Sequence, residues 1–184
     1  MTSRERISAA AAELFYRDGI HVTGVDTLAR TAGVSKRTLY QHFPSKDDLV
    51  RGYLTDLAEV GGTARELLLD QVGLTARERL LAIFDTAPAD RFRGCPFHNA
   101  AVESAGVLDG VGDIVREHKM RFAARLAEVA TEAGAADPQL LGHQLLVLFE
   151  GATALSTSLN DTAPMVHARA VAALLLDSAV AQSD

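Results

Sequence analysis

Between residues 35 and 46 the chain carries Lys36, Arg37 and Lys46 and no acidic residue. Lys36 and Tyr40 stand four apart, and so do Arg37 and Gln41. On a helix such pairs share a face, and this face turns away from Leu39 and Phe43, which are themselves one turn apart. A guanidinium can meet guanine with two parallel hydrogen bonds, and a Gln amide can do the same for adenine. Thr38 borders the face with a methyl and a hydroxyl, while Tyr40 and His42 can donate to phosphate oxygens. Lys46 falls in the first turn of a following helix, where backbone N–H groups also favour an anion. A basic helix face alone is equally compatible with an ordinary solvated surface.

The elements around this face decide the matter. The stretch is TGVDTLARTAGVSKRTLYQHFPSKDDL, residues 23–49. Two short helices crossing steeply over a tight turn need a small residue on the first helix, and Ala29 supplies it. The turn needs a residue that tolerates positive φ, and Gly33 follows four residues later. The second helix needs an apolar anchor, and Leu39 follows six residues after Gly33. Ser35 has the chemistry of its N-cap, and Pro44 ends it. Thr23 is expected to cap a helix over 24–31. Ser45 is expected to cap a longer helix through roughly residue 69. Upstream, Thr2 and Glu5 have capping-box spacing, and Ile7, Ala11, Leu14 and Phe15 form an apolar stripe that ends near Gly19. This is the pattern of a helix-turn-helix. The candidate DNA-binding residues are Thr23, Gly24, Ser35, Lys36, Arg37, Thr38, Tyr40, Gln41, His42 and Lys46.

The same residues resemble the DNA-binding domain of the TetR family of repressors. Ala32-Gly33-Val34-Ser35, Thr38-Leu39-Tyr40, His42-Phe43 and Ser45-Lys46 match that family's signature, as does the first helix with Phe15 and Gly19. The resemblance covers roughly residues 5–50; beyond it, only length and an all-helical pattern are shared. It implies a homodimer, double-stranded operator DNA as partner, an effector pocket in the second part, and repression relieved by ligand. Two positions depart from the pattern. Asp26 stands where a basic or polar residue near phosphate is common, and Gly24 offers only its backbone.

The fold class expected is all-α. A three-helix DNA-binding domain over 1–50 precedes a helical effector-binding and dimerisation domain over 51–184. Nearly every segment has helical periodicity and none alternates with period two. Helices are expected from Thr75 to about residue 86, over 97–105, over 112–133, from Asp137-Pro138 to about residue 159, and over 164–181. An irregular stretch over 87–96 and a loop over 106–112 separate some of them. The net charge of −6 is unevenly spread. Residues 1–50 hold seven Lys/Arg against six Asp/Glu, and the remainder eleven against eighteen. A basic face on an acidic body suits a protein that meets DNA with one end.

The second part gives a thinner signal. RFRGCPFHNAAVE, residues 91–103, is similar to a stretch in a subgroup of TetR-like repressors with a Gly-Cys-Pro and a downstream Asn and Glu. Phe97, His98, Asn99 and Glu103, with Phe84, His118, Phe122, Phe149 and Glu150, are candidates to line an effector pocket. They are also, individually, ordinary core or surface residues. Glu150 follows an apolar run and needs a partner, for which Arg121, Arg125 or a ligand group are candidates. The last two helices are rich in Gly, Ala and Leu, and a four-helix interface between two subunits is expected there. A single cysteine, Cys95, excludes an internal disulfide and a cysteine-rich zinc site. No metal or cofactor is expected. The rival readings are a constitutive DNA-binding regulator without effector and an enzyme using Cys95 or Glu103 of the body, which no nucleophile–base constellation supports. No apolar run long enough to span a membrane and no signal peptide is read, and a cytoplasmic location is the default.

Overall fold

The computed structural model describes residues 1–86, 93–104 and 108–181, and these are all-helical with no strand. The helices are α1 (Ser3–Asp18), α2 (Val25–Thr31), α3 (Lys36–His42), α4 (Lys46–Glu59), α5 (Ala76–Ala82), α6 (Pro96–Ser104), α7 (Val111–Glu132), α8 (Pro138–Leu159) and α9 (Ala163–Ala181). A short 3-10 helix, Glu66–Asp70, lies between α4 and α5. The stretches expected to be irregular over 87–96 and 106–112 fall partly outside the described residues.

The chain divides into two compact units. The first comprises Met1–Val60 together with Pro96–Glu117, and the second Gly61–Cys95 with His118–Asp184. Helix α6 and the first turns of α7 therefore belong with the N-terminal helices. In this first unit α1 packs on α2, α3 and α4. Ile7, Ala11, Leu14 and Phe15 of α1, Leu28 of α2, Leu39 of α3 and Leu49, Val50 and Leu54 of α4 are all nearly inaccessible to water. Phe15 meets Tyr53 edge-on, with ring centroids 5.7 Å apart. Capping boxes at Thr2–Glu5, Ser45–Asp48 and Thr75–Glu78 fix three helix starts.

Two expected boundaries move. The helix begun by Ser45 ends at Glu59, not near residue 69, because Gly61 and Gly62 follow with φ of 95° and 96°. The positive φ of Gly62 favours glycine, and a Cβ there would lie 1.9 Å from Oε2 of Glu66, forcing that buried carboxylate to move. The helix after Thr75 ends at Ala82 rather than near residue 86.

In the second unit Phe84, Phe122, Leu126, Leu145, Phe149, Met165, Ala172 and Leu176 share one apolar core. Gly142 of α8 lets the α7 backbone come close: a Cβ there would sit 2.9 Å from the Ala127 nitrogen and 3.0 Å from the Ala123 oxygen. Helix α8 also packs along α9, and α9 on α5. Against expectation, one segment does reach the length and composition of a membrane span. It is Ala163–Val180 in α9, of mean hydropathy 1.3, with 22% of the segment buried. It carries Arg169, paired with Asp85 at 2.8 Å, and Asp177, paired with Arg77 at 2.7 Å.

The Gly142 contact yields a test. Alanine normally favours a helix interior over glycine by about 1 kcal/mol. Here Gly142→Ala should instead destabilise the chain by roughly 1–3 kcal/mol, since the added methyl meets backbone that cannot rotate away. Urea unfolding followed by far-UV circular dichroism measures it; a variant more stable than wild type would refute the close approach.

Candidate nucleic-acid interface

Helix α3 is assembled from its ends and its underside. The Ser35 hydroxyl accepts the Thr38 N–H at 3.0 Å and shares a hydrogen bond with the Thr38 hydroxyl at 2.8 Å. The turn before it runs through Gly33 at φ 62°, and the Val34 N–H closes onto the Ala29 carbonyl at 3.0 Å. Leu39 and Phe43 are 1% and 4% exposed, and they root the helix in the head. Lys36, Arg37, Tyr40, Gln41 and His42 are all exposed, with Thr38 half-buried beside them. Side chains able to read base edges thus stand on a helix whose other side cannot turn outward.

Two arginines of α1 brace this arrangement, and the sequence reading missed both. Arg6 donates to the Gly33 carbonyl at 3.3 Å. Arg4 lies over the Phe43 ring, 5.4 Å from its centroid. Both precede the recognition helix by about thirty residues, and no periodicity connects them to it.

Other candidates have partners within the chain. Thr23 does not cap α2; the capping position is Gly24, which makes no side-chain bond. The Thr23 side chain is buried and its hydroxyl donates to the Gly19 carbonyl at 2.6 Å, so it closes the end of α1 instead. Asp26 forms an exposed ion pair with Lys36 at 2.9 Å. The hydrogen bond and charge of Asp26 hold the Lys36 ammonium above the ordinary lysine range. Lys46 is half-buried and donates to the His21 carbonyl at 3.3 Å. Burial pushes its pKa down, against the opposing pull of Glu103 and Asp47.

The nine candidate effector residues are distributed over both units. Phe97, His98, Asn99 and Glu103 lie on α6 in the first, and Phe84, His118, Phe122, Phe149 and Glu150 lie in the second. Phe97 is fully buried and His98 exposed. The Glu103 carboxylate accepts the His21 N–H at 2.9 Å. Phe122 meets Phe149 at 5.5 Å and Phe84 meets Phe149 at 5.9 Å, both edge-on. His118 is buried, with Nε2 3.1 Å from Oε2 of Glu66, a fully buried carboxylate that the sequence reading did not single out. The partner found for Glu150 is Lys119 at 2.5 Å, whereas Arg125 pairs with Asp70 at 2.5 Å. Lys119 also reaches the Cys95 sulfur at 3.2 Å. Burial works against its charge, but Cys95 and Glu150 outweigh that and hold its pKa above the ordinary value. An open surface groove lined by Arg77, Ala133, Leu176, Asp177 and Val180 contains none of the nine.

A capped, anchored helix with a polar outer face, set in a three-helix head, defines a helix-turn-helix regulator of transcription. The comparisons agree. Residues 7–53 match the family model described as "Bacterial regulatory proteins, tetR family", and residues 76–172 match "Tetracyclin repressor-like, C-terminal domain". The chain belongs to the TetR family of bacterial regulators. A TetR transcriptional regulator (sav143) of Streptomyces avermitilis shares 33% identity, with a TM-score of 0.75 over 97% of this chain and 98% of that one. The uncharacterized HTH-type transcriptional regulator YxaF of Bacillus subtilis is 25% identical over 171 residues, 89% of this chain and 90% of that protein. The transcriptional activator FasR of Mycolicibacterium smegmatis is 50% identical over 46 residues, which are 25% of this chain and 21% of that protein.

Two kinds of DNA contact are expected, one from the exposed Arg37 and one from the half-buried Lys46. Arg37→Ala should relax base preference at one position of the bound DNA, at a cost of about 1–3 kcal/mol there. Lys46→Ala should weaken all sequences alike and flatten the slope of log affinity against log salt by about one unit. Anisotropy titrations over single-base variants and a salt series distinguish them. A base-specific effect at Lys46 with none at Arg37 would overturn the assignment.

Proposed function

We propose that this chain is a repressor that occupies a pseudo-palindromic operator as a homodimer and is released by a small, mainly apolar organic effector. Residues 1–50 would bind DNA, residues 51–184 would bind effector and dimerise, and the site of action would be the cytoplasm, where the chromosome lies. The observation that carries the reading is the outer face of α3. Arg37, Tyr40 and Gln41 stand exposed over the buried Leu39 and Phe43. Repression needs only that a bound protein exclude polymerase by its volume. The FasR match, confined to the head, concerns a protein described as an activator, so the sign is tested by a reporter gene: deletion of the chain should raise transcription from the bound promoter.

The proposed dimer surface is the outer side of α8 and α9. Each helix buries one stripe inside the second unit and leaves a second apolar stripe in water. Val147, Leu155 and Leu159 of α8 are exposed, as are Val166, Val171 and Leu174 of α9. Gly151 lies on the same outer side with open space around it. Apolar area of this kind is covered in a symmetric dimer by the same surface of a second copy. Two linked heads then engage two half-sites nearly as one event. Leu174→Glu should give monomers by analytical ultracentrifugation and lose operator binding. A monomer with wild-type affinity would defeat the dimer.

A second reading, a constitutive regulator without effector, is favoured by one observation. Phe84, Phe122 and Phe149 pack edge-on against one another and are each no more than 2% exposed. A pocket among them would have to open by rearrangement. A compound that raises the melting temperature by mass action and also releases DNA supports induction. A bound compound that leaves operator affinity unchanged supports the constitutive reading.

A further inference from the structure

The loop between α1 and α2 is short, yet three helices grip it. Thr23 ties it to the end of α1 through the Gly19 carbonyl at 2.6 Å. Lys46, at the first position of α4, donates to the His21 carbonyl at 3.3 Å. From 82 residues further along the chain, Glu103 of α6 receives the His21 N–H on its carboxylate at 2.9 Å. The His21 ring Nε2 also contacts the Glu103 backbone oxygen. His21 itself is exposed, so its own side chain does not hold the loop. The buried Ile20 and Thr23 anchor the loop on either side, and polar bonds to the His21 main chain fix the position between them. Helix α6 is in turn held by the buried Phe97, Ala100 and Ser104, so the carboxylate is offered from a fixed base.

We infer that Glu103 is a positioning residue for DNA recognition: its carboxylate, through the His21 N–H, sets the loop that launches α2. The geometry supports this over a place in an effector pocket, because one carboxylate oxygen already takes a main-chain N–H. The loop leads within three residues to Gly24, the capping position of α2, and α2 carries Ala29 against the turn into α3. A loop released at His21 leaves the head to be ordered at the moment of binding, and that ordering weakens affinity without removing any DNA contact. The His21 carbonyl is also where Lys46 rests, so Glu103 fixes the position from which Lys46 meets a phosphate.

The inference rests on the head binding operator DNA, and the experiment separates the two ideas. The probe is the DNA that the full-length wild-type chain enriches from a random 30-base-pair library. Affinities are compared for wild type, Glu103→Gln, Glu103→Asp and Glu103→Ala, all full length. Gln keeps an acceptor at the same reach and loses the charge; Asp keeps the charge and loses the reach. The expected result is near-wild-type affinity for Gln. Asp and Ala should lose about tenfold or more, the cost of leaving a main-chain N–H without its acceptor. Amide hydrogen exchange should quicken at residues 20–24 in Asp and Ala alone. If Ala fails to fold, the Gln and Asp pair still decides. Equal affinity of Gln, Asp and wild type overturns the inference, as does a loss in Gln equal to or greater than that in Asp, because an acceptor at the right reach would then not be what matters. Failure of wild type to enrich any sequence would instead overturn operator binding itself.

Discussion

Burial of Leu39 and Phe43 is the constraint on which the head depends. Helix α3 has seven residues, and a helix of that length does not hold itself in water, because nucleation costs more than so few hydrogen bonds return. It persists because one side is sealed against α1 and α2 and one end is closed by Ser35. That requirement accounts for much of what surrounds it. Helix α1 brings the wall that includes Ile7, Leu14 and Phe15; Ala29 and Gly33 allow the approach; Arg6 takes a carbonyl that the turn leaves over. With the apolar side spoken for, the polar residues have no choice but to face outward. The outward display of these polar residues is here a by-product of packing.

The second unit works under a different constraint. Gly142 brings α7 and α8 to backbone contact, and aromatic rings fill the space beyond. Several of its ionisable groups are paired: Glu66 with His118, Glu150 with Lys119, Asp70 with Arg125. Glu66 is fully buried, and a carboxylate so placed needs a partner or it would distort its surroundings. Helix α9 holds a long, largely apolar stretch, Ala163–Val180, of which only 22% is buried.

The head was legible in the sequence because its determinants are local. Caps, the turn glycine, the proline stop and the i, i+4 pairs all act within a few residues. Ser35, Gly33, Leu39 and the exposed Arg37 and Gln41 follow from spacing alone. The errors arose where a residue had two available jobs. Thr23 has the chemistry of a cap but is buried, and its hydroxyl found the carbonyls of α1 first. The helix after Ser45 has a continuing apolar pattern, but two glycines at positive φ stop it. Contacts across long separations left no trace: Arg6 on Gly33, Glu103 on His21, Lys119 on Glu150. Each depends on how helices are stacked, which one-dimensional periodicity does not contain. The boundary of the compact units lies in the same class, since α6 joins the N-terminal helices only through tertiary contacts.

The Asp26–Lys36 pair has a consequence for how the proposed head would behave on DNA that is not its target. Lys36 is paired within the protein at 2.9 Å, on the exposed side of the head. An exposed pair is held by only about 0–1 kcal/mol, so a well-placed phosphate can take the lysine. A badly placed one competes with a carboxylate already in hand and gains little. If Lys36 meets phosphate in the proposed complex, the acid would therefore yield only to a well-placed phosphate. It would lower adhesion to random duplex more than adhesion to the target and shorten the time spent between sites.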